Sequence, residues 1–180
     1  MCGRFSLNIG PKFDDRFGLG DHLELAPKYE ATPGQILPII LKDNVNQVGL
    51  MKWGIGQNLF NARAETITEK FTFKHLVYSQ RCLVPASGFF EWQKTPSKKI
   101  PFYFSLKDVP LFAFAGLFDN STFTIITTAP NDLVAPIHDR MPVILPQSQE
   151  SLWLDPQSDI AQVLPLLQPY PASEMSLKQL

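Results

Sequence analysis

The chain has 180 residues, which suffices to bury the core of one domain, whereas two domains would leave little core for each. Apolar residues make up 44% of the sequence and charged residues 18%, and no stretch resembles a membrane span or a low-complexity tract. We therefore expect one soluble globular domain over 1–180 with no membrane partner. The net charge of −1 excludes general electrostatic attraction to nucleic acid, so any such contact requires a local basic patch.

The first half of the chain combines helical and strand-like patterns. Residues 11–19 carry apolar residues four positions apart, which predicts a short amphipathic helix. The apolar run 36–41 predicts a strand, and an Asp-Asn turn connects it to its expected hairpin partner at 47–53. Residues 68–78 follow the helical period only loosely, so this segment is predicted as a helix with an irregular loop as the alternative.

The second half is dominated by short runs of aromatic and β-branched residues separated by Pro, Gly, Asp or Asn. These runs predict strands at 82–85, 100–106, 111–118, 122–128 and 141–145. The segment 111–115 is apolar on both faces, which is typical of a central strand. Helical spacing returns at 148–154 and 159–167, and residues 171–173 are expected to be extended. The pattern indicates an α+β fold with a large, mostly antiparallel and barrel-like sheet flanked by short helices.

The cysteines and histidines favour a cytoplasmic protein without a metal. Cys2 and Cys82 are too few for a disulfide scaffold, and they lack metal-finger spacing. His22 and His75 show no ligand spacing either, so we assign no metal and no cofactor. No apolar run of the length of a secretory signal follows Arg4, which makes the cytoplasm the expected compartment.

Cys2 directly follows the initiator methionine. Removal of Met1 would therefore place an α-amine and a thiol on one residue. Both groups are partly nucleophilic near neutral pH, because their unperturbed pKa values are about 8 and 8.5. Such an aminothiol can condense with an aldehyde to an imine and close to a thiazolidine ring. The alternative is a small residue that opens a buried strand, because free cysteines are often buried.

Three later stretches place polar residues where a hydrophobic core does not predict them. Asn61 and Arg63 are interleaved with alanines, as in a site or in a solvated strand end. Glu91 lies among bulky aromatic residues, so its carboxyl group either is buried with a raised pKa or points to solvent from an alternating strand. His138 precedes an apolar strand and is suited to proton transfer, or it is a loop histidine bonded to Asp139.

A lysine cluster occupies the segment between two of the predicted strands. Lys94, Lys98 and Lys99 are typical of a solvated turn, and contact with phosphate is the alternative.

Four blocks of the sequence together resemble the signature of the SRAP family, the SOS-response-associated peptidases. The blocks are Cys-Gly-Arg-Phe at 2–5, Asn-Ala-Arg-Ala-Glu-Thr at 61–66, Arg-Cys-Leu-Val-Pro-Ala-Ser-Gly-Phe-Phe-Glu-Trp at 81–92 and His-Asp-Arg-Met-Pro at 138–142. The resemblance implies an SRAP-like fold and a protein that cross-links to abasic sites in single-stranded DNA. It also implies a reaction without metal or cofactor, and we expect a monomer, nucleoid-associated if the source is bacterial.

The resemblance implies a role for each of four residues. Cys2 would be the nucleophile through its amine and its thiol, after Met1 has been removed. Asn61 would hold the Cys2 amine and the sugar, and Glu91 would be the general acid and base that opens the deoxyribose ring. His138 would stabilise the imine or carry protons to it.

The same resemblance implies contacts with DNA. Arg4 and Arg63 match positions that contact phosphates flanking the lesion. Trp92 is a further candidate contact for single-stranded DNA, and Thr127 and Thr128 are expected to line the site.

Two features of the sequence depart from typical members of the family. The segment 54–60 is shorter than the loop that usually carries bulky residues against duplex DNA, and the chain stops soon after residue 173 where many members continue.

Two other functions remain open. The alternative functions are a thiol peptidase or autopeptidase that uses Cys2, and a non-catalytic module that binds single strands through Arg4, Arg63 and Trp92.

Overall fold

A computed structural model describes residues 2–20 and 25–180. The strands are β1 (Phe5–Leu7), β2 (Lys28–Ala31), β3 (Ile36–Lys42), β4 (Asn46–Trp53), β5 (Asn61–Arg63), β6 (Arg81–Ala86), β7 (Gly88–Lys94), β8 (Lys99–Leu106), β9 (Phe112–Asp119), β10 (Thr122–Thr128), β11 (Met141–Pro142), β12 (Ile144–Leu145) and β13 (Met175–Gln179). The helices are α1 (Phe13–Phe17), α2 (Leu76–Ser79), α3 (Gln147–Leu154) and α4 (Ile160–Val163). Single 3-10 turns occupy Ala64–Thr66, Leu164–Leu166 and Ala172–Glu174.

The strands form two sheets, one of which closes on itself. In the larger sheet the order β10-β4-β3-β6-β9 returns to β10, because β9 also pairs with β10. Most of these pairs are antiparallel, and β10 runs parallel to β4 and β5. The second sheet has the order β13-β8-β7-β1-β2. The predicted α+β class with a barrel-like, mostly antiparallel sheet and short helices is therefore confirmed.

Aromatic side chains from both sheets fill the core. Phe5 on β1 lies 5.2 Å from Trp53 and 5.7 Å from Phe114, measured between ring centroids. Phe89 on β7 stacks on Phe104 of β8 at 4.9 Å. These rings are fully buried, so the second sheet packs against the barrel through β1, β7 and β8. Candidate site residues lie just before β1 and on β7.

Several predicted elements are confirmed, with bounds that differ by one residue for the strands and with a shorter helix. The helix predicted at 11–19 is α1, which buries Phe13 and Phe17 and ends at Gly18 in a left-handed conformation. The predicted hairpin is β3–β4, and the predicted central strand is β9, buried over most of its length.

Three elements differ from the prediction. The helix expected over 68–78 is confined to α2, because Phe71 is exposed while Phe73 is buried, so the segment has no continuous apolar face. The single strand expected at 141–145 is divided between β11, which pairs with β10, and β12, which pairs with β9. Residues 172–174 form a 3-10 turn that leads into β13, instead of an extended end.

None of the helices in the described part of the chain is both long enough and apolar enough to cross a membrane.

Candidate functional site

A pocket of about 420 Å³ lies where the segment before β1, strand β7 and the loop before β11 meet. It is open to solvent, and its lining combines cations, an aromatic ring and two titratable groups. The lining residues are Arg4, Glu91, Trp92, Lys94, Lys99 and His138. The sequence-predicted residues Arg4, Glu91, Trp92 and His138 are thus brought together.

Cys2 lies beside this pocket, immediately before β1. Its side chain is fully buried, and its Sγ atom is 4.0 Å from the carbonyl oxygen of Arg4. Burial is the main cause that raises the pKa of the Cys2 thiol, and the nearby Glu91 carboxylate raises it further. The structure therefore confirms that Cys2 is buried, and its role as a nucleophile stays a prediction.

Glu91 points inward from β7 and is only 3% exposed. The alternative of a solvent-facing carboxylate is wrong. Burial raises the pKa of Glu91 to about 7, and the charge of Asp139 adds to the shift. Near neutral pH this carboxyl group exists in both protonation states, so it can both donate and accept a proton.

His138 faces Glu91 across the pocket. The Nε2 atom of His138 is 3.7 Å from Oε2 of Glu91, and the backbone N–H of Arg140 donates to Nδ1 at 3.0 Å. Nδ1 also lies 3.1 Å from Oδ1 of Asp139 and 3.2 Å from the carbonyl oxygen of Arg140. When Nδ1 accepts from the Arg140 N–H, the neutral ring carries its proton on Nε2, the nitrogen that faces Glu91. Burial is the main cause that lowers the pKa of His138, which favours this neutral form.

The loop that carries His138 is held by Arg140. The guanidinium group donates to both carboxylate oxygens of Glu65, at 2.6 and 2.9 Å, and to the carbonyl oxygen of Thr127 at 2.6 Å. A second tie runs from Nε2 of Gln93 on β7 to the carbonyl oxygen of Pro136 at 3.0 Å. Sequence reasoning did not single out Arg140 or Glu65 as functional residues, although both lie inside the quoted blocks.

Asn61 begins β5 and pairs with Ile125 of β10. Its Nδ2 group donates to the carbonyl oxygen of Phe60 at 2.9 Å, whereas its Oδ1 atom is buried without a hydrogen-bond partner among the described residues. Buried polar atoms are normally satisfied, so this oxygen is available to a donor that the described residues do not supply. Asn61 and Cys2 are not among the described residues that line the pocket.

The predicted DNA contacts differ in accessibility. The Arg4 guanidinium lies 4.9 Å from the centre of the Trp92 ring and 3.3 Å from Glu30, and Arg63 is exposed on β5. By contrast, Thr127 is fully buried on β10.

Thr128 lines a different cavity of about 430 Å³, together with Glu65 and Leu167. The structure therefore groups Arg4 and Trp92 with the pocket of Glu91, and separates Thr128 from it.

A family model described as SOS response associated peptidase (SRAP) matches residues 1–180. The chain belongs to the SRAP family. Its sequence is 42% identical to the abasic site processing protein YoqW of Bacillus subtilis, over 99% of this chain and 92% of YoqW.

Two solved structures resemble this SRAP protein. A protein from Bacteroides thetaiotaomicron has a TM-score of 0.77 and 34% identity, covering 84% of this chain and 77% of that one. A protein from Bordetella bronchiseptica has a TM-score of 0.86 over 99% of both chains, and at 21% identity this likeness shows the shared fold alone.

The described residues of the SRAP protein contain no group of three or more His, Cys, Asp or Glu side chains that could hold a metal ion. His75 lies at the start of α2, and His22 falls outside the described residues. The pocket contains the carboxyl group of Glu91 and the imidazole of His138, whose facing atoms Oε2 and Nε2 are 3.7 Å apart. Cys2 is buried close enough for the Glu91 carboxylate to affect its thiol. These groups can move protons at a carbonyl or hemiacetal carbon without a metal.

Proposed function

We propose that the protein processes abasic sites in single-stranded DNA by forming a covalent thiazolidine link through Cys2 after Met1 has been removed. The observation that carries this proposal is the convergence of Glu91 and His138 in a pocket with a cationic rim, with Cys2 close enough for the Glu91 carboxylate to raise the pKa of its thiol. Membership in a family whose relatives are named abasic site processing proteins supports it. The link shields the lesion from strand cleavage.

The amine is the first nucleophile in this reaction. The free amine of Cys2 adds to the aldehyde carbon of the opened deoxyribose, and loss of water gives an iminium ion. The sulfur then adds to the same carbon and releases its proton, so one aldehyde and one aminothiol yield one thiazolidine and one water. The raised pKa of the buried thiol disfavours attack by a thiolate, and this order requires none.

Glu91 and His138 supply the proton transfers. An abasic sugar is mostly a closed hemiacetal, so opening requires a base for the hydroxyl proton and an acid for the ring oxygen. With a pKa of about 7, Glu91 can perform both steps and later accept the proton of the thiol. In the tautomer whose Nδ1 accepts from the Arg140 N–H, neutral His138 directs Nε2–H toward Glu91 and can donate to the developing oxyanion.

Asn61 completes the proposed site as an acceptor. Its buried Oδ1 atom, which no described residue satisfies, would receive a hydrogen bond from the Cys2 amine or from the sugar. The amine would then keep the orientation that addition to the aldehyde requires.

The test is a cross-linking gel. A single-stranded oligonucleotide with one uracil is treated with uracil glycosylase and incubated with the protein, and we expect a heat-stable band of lower mobility. Cys82→Ala is the matched control, because Cys82 is the other fully buried cysteine and lies on β6 of the larger sheet, where the charge of Glu91 does not act on its thiol. An equal band from Cys2→Ala would refute the proposal, and intact mass establishes whether the reacting protein lacks Met1.

A further inference from the structure

Two lysines of the β7–β8 hairpin face each other at the pocket. Lys94 and Lys99 are direct cross-strand partners, and both line the cavity that contains Glu91 and His138. Side chains opposite one another on antiparallel strands have Cβ atoms about 5 Å apart, and like charges in such a pair are destabilising. The hairpin therefore holds two positive charges together at a cost in stability, beside the candidate site.

No carboxylate in the described part of the chain forms an ion pair with either lysine. By contrast, Arg4 on the same rim pairs with Glu30 at 3.3 Å. The turn between the lysines is fixed by Thr95, whose hydroxyl donates to the carbonyl oxygen of Lys98 at 2.8 Å and accepts from its backbone N–H at 3.1 Å. The turn backbone that positions the two lysines opposite each other is thus held by hydrogen bonds within the hairpin.

We propose that Lys94 and Lys99 together bind a backbone phosphate of the DNA strand next to the nucleotide that enters the pocket. This inference rests on the proposed function, since it assigns a phosphate subsite to the same cavity. An ammonium group is a compact point charge that pairs with phosphate oxygens, and two of them on facing strands can hold one oxyanion from both sides.

The position of the pair relative to Trp92 fits a strand that runs along the rim. Trp92 and Lys94 are two residues apart on β7, so their side chains leave the same face of the sheet. Single-stranded nucleic acid is typically held by an aromatic platform beside cations that follow the backbone. Because the chain carries a net charge of −1, such attraction has to come from local cations of this kind.

Lys98 provides a matched control within the same turn. It is exposed like its neighbours, but it does not line the pocket. A general basic patch would use Lys98 as much as the other two lysines, whereas a phosphate subsite would not.

The test measures binding of a single-stranded oligonucleotide with a tetrahydrofuran abasic analogue, which has no aldehyde and cannot be linked. Fluorescence anisotropy gives the affinity of the wild type, Lys94→Ala/Lys99→Ala and Lys98→Ala over a range of salt concentrations. Loss of this one phosphate contact lowers the slope of log affinity against log salt by about 0.7, which corresponds to about fivefold weaker binding of the double variant at 0.1 M salt. We expect the loss in the double variant and not in Lys98→Ala.

A charge-preserving variant separates binding from folding. Lys94→Arg/Lys99→Arg should keep the wild-type salt slope, and urea unfolding of Lys94→Ala/Lys99→Ala should show equal or higher stability because the repulsion is removed. An unchanged slope in the double alanine variant, or an equal loss in Lys98→Ala, would overturn the inference. If the slope changes but the wild type forms no link with an aldehydic abasic site, the phosphate subsite stands and the proposed function falls.

Discussion

Replacing Glu91 with glutamine should change how stability depends on pH. Burial raises the pKa of Glu91 from 4.5 to about 7, so the folded protein binds its proton more tightly than the unfolded chain does. The stability contributed by the protonated carboxyl group is present below pH 4.5 and is lost as the pH rises through 7. The difference between the two pKa values corresponds to about 3 kcal/mol. Glutamine does not titrate, so Glu91→Gln should escape this loss.

The assay is urea unfolding of the wild type and Glu91→Gln at several pH values between 4.5 and 8. The free energy of unfolding of the variant minus that of the wild type should increase by about 3 kcal/mol over this range. Glu30→Gln is the control, because the side chain of Glu30 is 61% exposed and has little desolvation to relieve. Parallel curves for the wild type and Glu91→Gln would show that the buried carboxyl group is not the proton-binding site that the geometry indicates.

Three further outcomes are expected. Arg16→Ala breaks the buried pair with Glu150, whose atoms approach to 2.6 Å, and should cost about 3 to 5 kcal/mol in urea unfolding; a loss below about 1 kcal/mol would contradict this. Gly88→Ala would place a Cβ 2.3 Å from the ring of Tyr103, so its melting temperature should fall well below that of the wild type, and an equal value would refute the clash. Cys2→Ser keeps the amine but lacks the sulfur, so any link to abasic DNA should be heat-labile on the gel, and a fully heat-stable band would exclude ring closure by sulfur.

The sequence singled out Arg4, Glu91, Trp92 and His138, which the structure brings to one pocket, but it did not predict how they are arranged. The aromatic neighbours of Glu91 left its orientation open, because a strand alternation is compatible with either face, and the register with β8 decides that it points inward. The contacts of His138 Nδ1 with Asp139 and with the backbone of Arg140 depend on the loop conformation, which no residue pattern encodes. Thr127 precedes the His138 loop as expected, but it is buried against Ala62.

The fold contains some strands that local sequence patterns predict and others that only long-range pairing defines. Strands with strong apolar patterns, such as β9, were predictable because burial on both faces leaves a continuous apolar run. Strand β13 is mostly polar and pairs with β8 at the outside of the second sheet, so its sequence carries no such signal. Strands β1 and β2 are too short for periodicity, and only their pairing with each other and with β7 defines them.

The pairing of β1 with β7 can form only after β7 has been synthesised. Residues 5–7 cannot take their place in the sheet until residues 88–94 have left the ribosome, and at typical elongation rates this takes roughly 4 to 16 s. During that interval Cys2 belongs to a nascent chain and is accessible, whereas in the folded protein it is fully buried. The removal of Met1 that the proposed reaction requires therefore has a natural window before the sheet closes over Cys2.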